Sequence, residues 1–263
     1  MAGAGVQTAG LAFSGEIGPL YTTATYEYNG TSWSPGGNMA LGRFGLGGAG
    51  TQTAALAIAG YSGTTPVGYT GVTEEYNGTS WSPGGSLNTT RYAVGAAGTQ
   101  TAGLAFGGTP PTTGATEEYN GTAWTGVNPM NTARAVLAGA GIQTAALGFG
   151  GSGPTGATEE YDGTSWTAGG TLNTARESLG GGGDQTAALA FGGTAPPLTG
   201  ATEEYDGTSW TTLPSTMGTA REKFAGAGTQ PAAFAAGGAT PTRTAATEEW
   251  TGAGPVTKTI TAS

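Results

Sequence analysis

The chain contains no cysteine and no histidine. Without cysteine there is no disulfide framework, no thiol nucleophile and no thiolate metal site. Without histidine the commonest general base and the commonest transition-metal ligand are both missing. Positive charge is scarce as well: 8 Lys and Arg stand against 17 Asp and Glu, a net charge of −9. Nucleic acid is therefore not an expected partner, because phosphate backbones are held by Lys/Arg clusters. No apolar run reaches the roughly 18 residues of a membrane-spanning helix, so membrane insertion is not expected. The first ten residues carry neither a basic segment nor a long apolar one, so no secretory signal is expected in the chain as given.

What the chain has is glycine, 53 of 263 residues, together with alanine and threonine. The glycines do not fall at every third position, which excludes collagen. Six tryptophans and ten tyrosines at regular intervals argue against disorder. The regularity is a repeat. Its first motif is Gln-Thr-Ala-(Ala/Gly)-Leu-Ala-Phe-Gly-Gly, with the Gln at Gln7, Gln52, Gln100, Gln143, Gln185 and Gln230. The steps are 45, 48, 43, 42 and 45 residues, within the blade lengths of β-propellers. A second motif, Thr-Glu-Glu-Tyr-(Asn/Asp)-Gly-Thr-Ser-Trp, follows each first one. Its leading aromatic is Tyr28, Tyr76, Tyr119, Tyr161, Tyr205 and Trp250, and its closing tryptophan is Trp33, Trp81, Trp124, Trp166 and Trp210. A third element is an arginine opening a small-residue run: Arg43, Arg91, Arg134, Arg176 and Arg221.

These motifs predict four strands per unit. The first runs from the Arg through Gly-Ala-Gly, the second is Gln-Thr-Ala-Ala-Leu-Ala-Phe, the third Ala-Thr-Glu-Glu-Tyr, and the fourth starts at Thr-Ser-Trp. No helical apolar period is sustained. Asn-Gly or Asp-Gly between the third and fourth strands supplies the positive φ angles of a tight hairpin. Four-stranded units at a fixed period make a radial array of sheets. The fold class expected is all-β: a six-bladed, kelch-like β-propeller with four antiparallel strands per blade. It forms a single domain over 1–263, with blades at approximately 1–42, 43–90, 91–133, 134–175, 176–220 and 221–263. Residues 1–5 match the tail of an inner strand and 256–263 replace the missing Thr-Ser-Trp strand, so no strand is expected to be shared between the termini. The small-residue strand, such as 138–141, belongs at the crowded centre. Trp124, Trp166 and Trp210 are expected to be buried between blades, where their area supplies much of the hydrophobic stabilisation.

The double glycine after the second strand, the tyrosine before a turn, the tryptophan five residues later and the arginine opening the next unit resemble the kelch repeat. In the third unit these are Gly107-Gly108, Tyr119, Trp124 and Arg134. The wording from Asn131-Thr132-Ala133-Arg134 to Gln143-Thr144-Ala145-Ala146-Leu147 is similar to kelch-type repeat proteins of marine tailed bacteriophages. That resemblance implies a virion structural or tail-associated component. Its location would be the extracellular particle, and its partners other virion proteins or a host-surface protein or glycan. A ubiquitin-ligase adaptor role does not fit, since no adaptor domain is attached.

Enzymatic alternatives find little support. Copper oxidases of the kelch type need His and Cys, which are absent. Sialidases use an arginine cluster, but five of the six arginines here sit at equivalent repeat positions. Asp162-Gly163-Thr164-Ser165-Trp166 is similar to the sialidase Asp-box but one residue short, and reads as a hairpin turn. The carboxylate pairs Glu74/Glu75, Glu117/Glu118, Glu159/Glu160, Glu203/Glu204 and Glu248/Glu249 do not flank one bond, because adjacent strand residues point to opposite faces. One Glu of each pair is expected to meet the repeated Arg of its own or the next blade, and the other to face solvent. No catalytic residue, metal site or cofactor is expected. The candidate contact surface lies where the repeats differ: segments 16–23, 61–72, 109–115 and 194–201, expected on one face with the inter-blade links such as 82–90 and 125–133. They are poor in charge and rich in Thr, Gly, Pro and Tyr. Tyr21, Tyr61, Pro66 and Tyr69 are the candidate binding residues. Three functional classes follow: a virion attachment or assembly module, a secreted carbohydrate-binding propeller of lectin type, and, least supported, a glycan-active enzyme.

Overall fold

A computed structural model describes residues 1–63, 68–252 and 255–258. They contain strands and turns but no helix, and so no helix able to cross a membrane. The strands form six four-stranded antiparallel sheets, each from consecutive strands, and the sixth carries an extra two-stranded hairpin, Ala239–Thr240 with Thr242–Arg243. The first strands of the sheets are Ala2–Val6, Gly47–Thr51, Gly95–Thr99, Ala138–Ile142, Gly180–Gly183 and Ala225–Thr229. Each touches the first strand of the blade on either side, and Ala2–Val6 touches Ala225–Thr229, closing the ring. This is a six-bladed β-propeller in which no strand is exchanged between the first and last blades.

The ring explains the small residues of the inner strand. A Cβ built on Gly139 falls 2.3 Å from the Ala96 carbonyl oxygen of the preceding blade, and one on Gly48 falls 2.4 Å from the Gly3 carbonyl oxygen. Inner strands approach too closely for side chains on that face, so only glycine or alanine serves.

The repeated arginines do not begin the inner strand. Arg134 lies four residues before Ala138–Ile142, in a buried crossing segment. Two residues after each Arg the backbone turns left-handed: φ is 61° at Gly45, 56° at Ala93, 55° at Val136, 56° at Ser178 and 58° at Lys223. That turn aims each amide at the preceding blade. Ala93 donates to Gly45, Val136 to Ala93, Ser178 to Val136 and Lys223 to Ser178, forming a backbone collar across blades two to six. Only blade two uses glycine there. The other four positions accept a conformation that L-residues disfavour by roughly 1–2 kcal/mol.

The five arginines are buried and each is paired with the first Glu on the third strand of its own blade. Arg43–Glu74, Arg91–Glu117, Arg134–Glu159, Arg176–Glu203 and Arg221–Glu248 lie at 3.1, 2.8, 3.3, 3.1 and 2.7 Å. The guanidinium also caps carbonyls of the second strand, as Arg43 does with Ala57 and Arg176 with Ala190. Burial lowers the arginine pKa values, to about 10 for Arg43 and Arg176, while the carboxylate opposes the shift, so the guanidinium stays charged at neutral pH. In the first blade Tyr26, exposed, stands at the first Glu position.

The second Glu of the pair, expected to face solvent, is instead partly or fully buried and, in every pair but Glu203/Glu204, is taken up by a tyrosine. Both faces of a propeller blade are covered by neighbouring blades, so the outward side of the third strand is a seam. Tyr76 donates its hydroxyl to Glu27 of the preceding blade, Tyr119 to Glu75, Tyr161 to Glu118, Tyr205 to Glu160, and Tyr28 to Glu249 across the closure. The tryptophan follows the same direction. Trp81, Trp124, Trp166 and Trp210 donate their indole N–H to Thr25, Thr73, Thr116 and Thr158, and Trp33 donates to Thr247. Trp124, Trp166 and Trp210 are about 95% buried, as expected, with 5%, 4% and 5% exposure. The repeated glutamines bridge to carbonyls of the preceding blade: Gln143, for example, to Gly103 and Tyr119.

The seam between blades five and six departs from this pattern. Trp250 replaces the tyrosine, and strand register sets Pro255 opposite it, where the other blades set tryptophan opposite tyrosine. Among the described residues no tyrosine hydroxyl reaches Glu204 and no indole reaches Thr202. The Trp250 indole nitrogen is buried without a partner. Gln230 still bridges to Ala188 and Tyr205.

Candidate binding face

Antiparallel chain reversal puts the links from second to third strand on the same face as the links between blades. Isolated β-bridges tie the two sets together: Phe44 to Tyr61, Tyr92 to Thr109, Glu177 to Thr194 and Glu222 to Ala239. On this face blades one and two stand apart. In blades three to five the second and third strands end early, as Ala102–Phe106 and Thr116–Tyr119 do. In the first two blades they continue as Ala9–Ile17 with Leu20–Tyr28, and Ala54–Tyr61 with Tyr69–Tyr76. The kink that ends the short strands uses glycine with φ of 67° at Gly107 and Gly150. The long strands pass it as bulges at Ser14 and Ala59, with φ of 55° and 60°. Pairing resumes beyond, with Gly15 opposite Thr22 and Tyr61 opposite Tyr69. Segment 16–23 thus forms a raised hairpin, and residues 61–63 and 68–72 form the described part of its counterpart in blade two. Their Thr and Tyr content suits extended pairing. Ile17 and Leu20, at the first hairpin's tip, are 60% and 70% exposed.

The raised hairpins bring together three of the four predicted contact residues. Tyr61 is central. Its ring centroid lies 5.9 Å from Tyr21, 5.4 Å from Phe44, 5.3 Å from Tyr69 and 6.0 Å from Tyr92. Tyr21 stacks on Phe44 at 5.4 Å, and Tyr69 on Tyr92 at 5.4 Å with an interplanar angle of 13°. All five rings are half-buried. Pro66 lies outside the described residues. Phe44 and Tyr92 were not anticipated. Each follows a repeated Arg, where the other blades have Ala135, Glu177 and Glu222. Comparing that one column across repeats would have separated an aromatic side of the face from an acidic one.

Between the two hairpins lies an open pocket of about 460 Å³, lined by Pro19, Leu20, Tyr21, Gly42, Tyr61, Ser62 and Gly63. No lining residue is charged. Glycine is required at its edge: a Cβ on Gly63, where φ is already +72°, falls 2.5 Å from a Tyr21 ring carbon. Burial, then the proximity of Tyr61 and Glu16, raises the Tyr21 pKa, so its phenol is neutral and able to donate. Arg243 and Glu16 satisfy each other at 3.0 Å beside the first hairpin. Among the described residues no three His, Cys, Asp or Glu side chains gather as metal ligands.

No model of a known protein family matches the chain, and no curated protein is found to be similar to it.

Proposed function

We propose that the chain is a non-enzymatic binding module of a bacteriophage virion, a tail-fibre or surface-appendage component acting in host attachment or virion assembly. The observation that carries this reading is the aromatic cluster of Tyr21, Phe44, Tyr61, Tyr69 and Tyr92. It breaks the repeat on one side of this face, where the residue after the repeated Arg is Ala135, Glu177 or Glu222 in blades four to six. Interlocked half-buried tyrosines offer contact area at low entropic cost, as recognition surfaces require. The kelch-like wording of the repeat supports the virion setting. The repeated carboxylates, the most numerous ionisable groups, are largely committed to Arg and Tyr partners, which supports a scaffold rather than a catalyst.

Two measurements test it. Mass spectrometry of purified particles is expected to find the chain, with antibody labelling at the particle surface. Particles carrying Tyr61→Ala/Tyr69→Ala are expected to adsorb to host cells at least tenfold more slowly while the protein keeps its fold. Particles lacking the chain, or full adsorption by the double variant, would overturn the proposal. The lectin reading has one observation in its favour, the uncharged tyrosine-walled pocket, which is taken up next.

A further inference from the structure

We infer that the pocket between the two raised hairpins binds a neutral pyranose unit of a saccharide. The inference rests on the binding-module reading and names the chemistry its site selects. The volume, about 460 Å³, falls within the roughly 300–1,000 Å³ of small-molecule sites. Two of its walls are tyrosines, Tyr21 and Tyr61, whose rings stand nearly perpendicular at 85°. A pyranose has flat C–H faces that pack on such rings and a girdle of hydroxyls that needs partners. Gly42, Ser62 and Gly63 complete the lining beside the tyrosines, with the Ser62 hydroxyl donating to the Gly68 carbonyl.

The lining also selects by what it rejects. With no cationic residue on the wall, a carboxylated or phosphorylated sugar finds no counter-charge and loses its hydration on entry. A purely apolar side chain from a protein would cover the tyrosine phenols without offering them a partner, and a polar group left unpaired on burial disfavours binding. A neutral ligand with both an apolar face and many hydroxyls meets both conditions. The site is pre-formed: four ring neighbours hold Tyr61, and Gly42 and Gly63 allow the hairpins to close on Tyr21 without a side chain between them.

The test uses the whole chain and a panel of methyl glycosides of neutral hexoses and N-acetylhexosamines, with glucuronate and a proline-rich peptide as comparators. Binding is read by saturation-transfer NMR and calorimetry. At least one neutral glycoside is expected to bind with a Kd of about 1 mM, while glucuronate and the peptide do not. Tyr61→Ala is expected to weaken it at least tenfold. Should that variant lose stability, Tyr21→Phe keeps the ring packing and removes one phenol, with a severalfold loss expected. A panel without binding, equal binding by both variants, or preference for glucuronate or the peptide would overturn the inference. If the panel is blank but Tyr61→Ala/Tyr69→Ala still blocks particle adsorption, the sugar inference fails and attachment stands. If a glycoside binds but particles lack the chain, attachment fails and the sugar site stands.

Discussion

Glu203→Gln is the most informative perturbation of the scaffold. Glu203 and Arg176 are both fully buried, 3.1 Å apart. The carboxylate also accepts backbone amides of Asn173 and Thr174, and the guanidinium donates to the carbonyls of Ala190 and Ala201. The substitution keeps the shape and removes the charge, leaving Arg176 ionised with only carbonyl dipoles for compensation. Breaking a buried pair this way costs about 3–5 kcal/mol. In a chain of this size that lowers Tm by roughly 6–20 °C. Arg176→Met alone is expected to cost less, because the two amides still hold the carboxylate. The double variant Arg176→Met/Glu203→Gln is expected to be more stable than the sum of the singles by about 2–3 kcal/mol. Guanidinium unfolding followed by tryptophan fluorescence measures all four proteins. Additivity within about 0.5 kcal/mol, or a loss below about 1 kcal/mol for Glu203→Gln, would refute the reasoning that the two charges depend on each other.

Three further outcomes are expected. Trp210→Ala removes a buried indole that packs on Phe149 at 4.9 Å and donates to Thr158, and should cost about 3–5 kcal/mol in the same unfolding assay. Val136→Gly relieves a β-branched residue held at φ 55° without touching the collar bond to Ala93, and should stabilise by about 1 kcal/mol, read as a higher Tm. Alkali should unfold the chain through its seam tyrosines. Burial and the facing glutamate raise Tyr76 and Tyr205 to about 12, while the unfolded phenol titrates near 10. A raised folded pKa gives stability that is intact below about 10 and lost as pH rises towards 12; a tyrosinate absorbance titration showing these phenols ionising at the ordinary value would contradict it.

The repeat made the architecture legible because each motif carries a separate geometric demand: small residues for the axis, Asn-Gly or Asp-Gly for the hairpin, and Trp with Tyr for the seam. The Arg–Glu partnership was half legible. Strand alternation correctly separated the two glutamates. It misassigned the second because periodicity does not reveal that a blade is covered on both sides. The candidate face was legible where it differed in length, at Tyr21, Tyr61 and Tyr69. Phe44 and Tyr92 were hidden by their neighbours. They sit between a buried Arg and a left-handed turn, and only that turn, invisible in composition, brings them to the face.

The fifth-to-sixth seam gives the ring a preferred point of failure. Six joints carry load in series around a closed circuit, and five share a tyrosine-to-glutamate and a tryptophan-to-threonine clasp. The sixth joint holds Trp250 with an idle indole nitrogen beside a small apolar cavity lined by Leu189, Phe191, Met217 and Ala235. Thermal opening of the ring is therefore expected to begin at that joint, where the described residues supply neither clasp. With that joint open, the six blades form an arc whose five other joints stay clasped, and the aromatic hairpins of blades one and two lie within the arc, away from the gap.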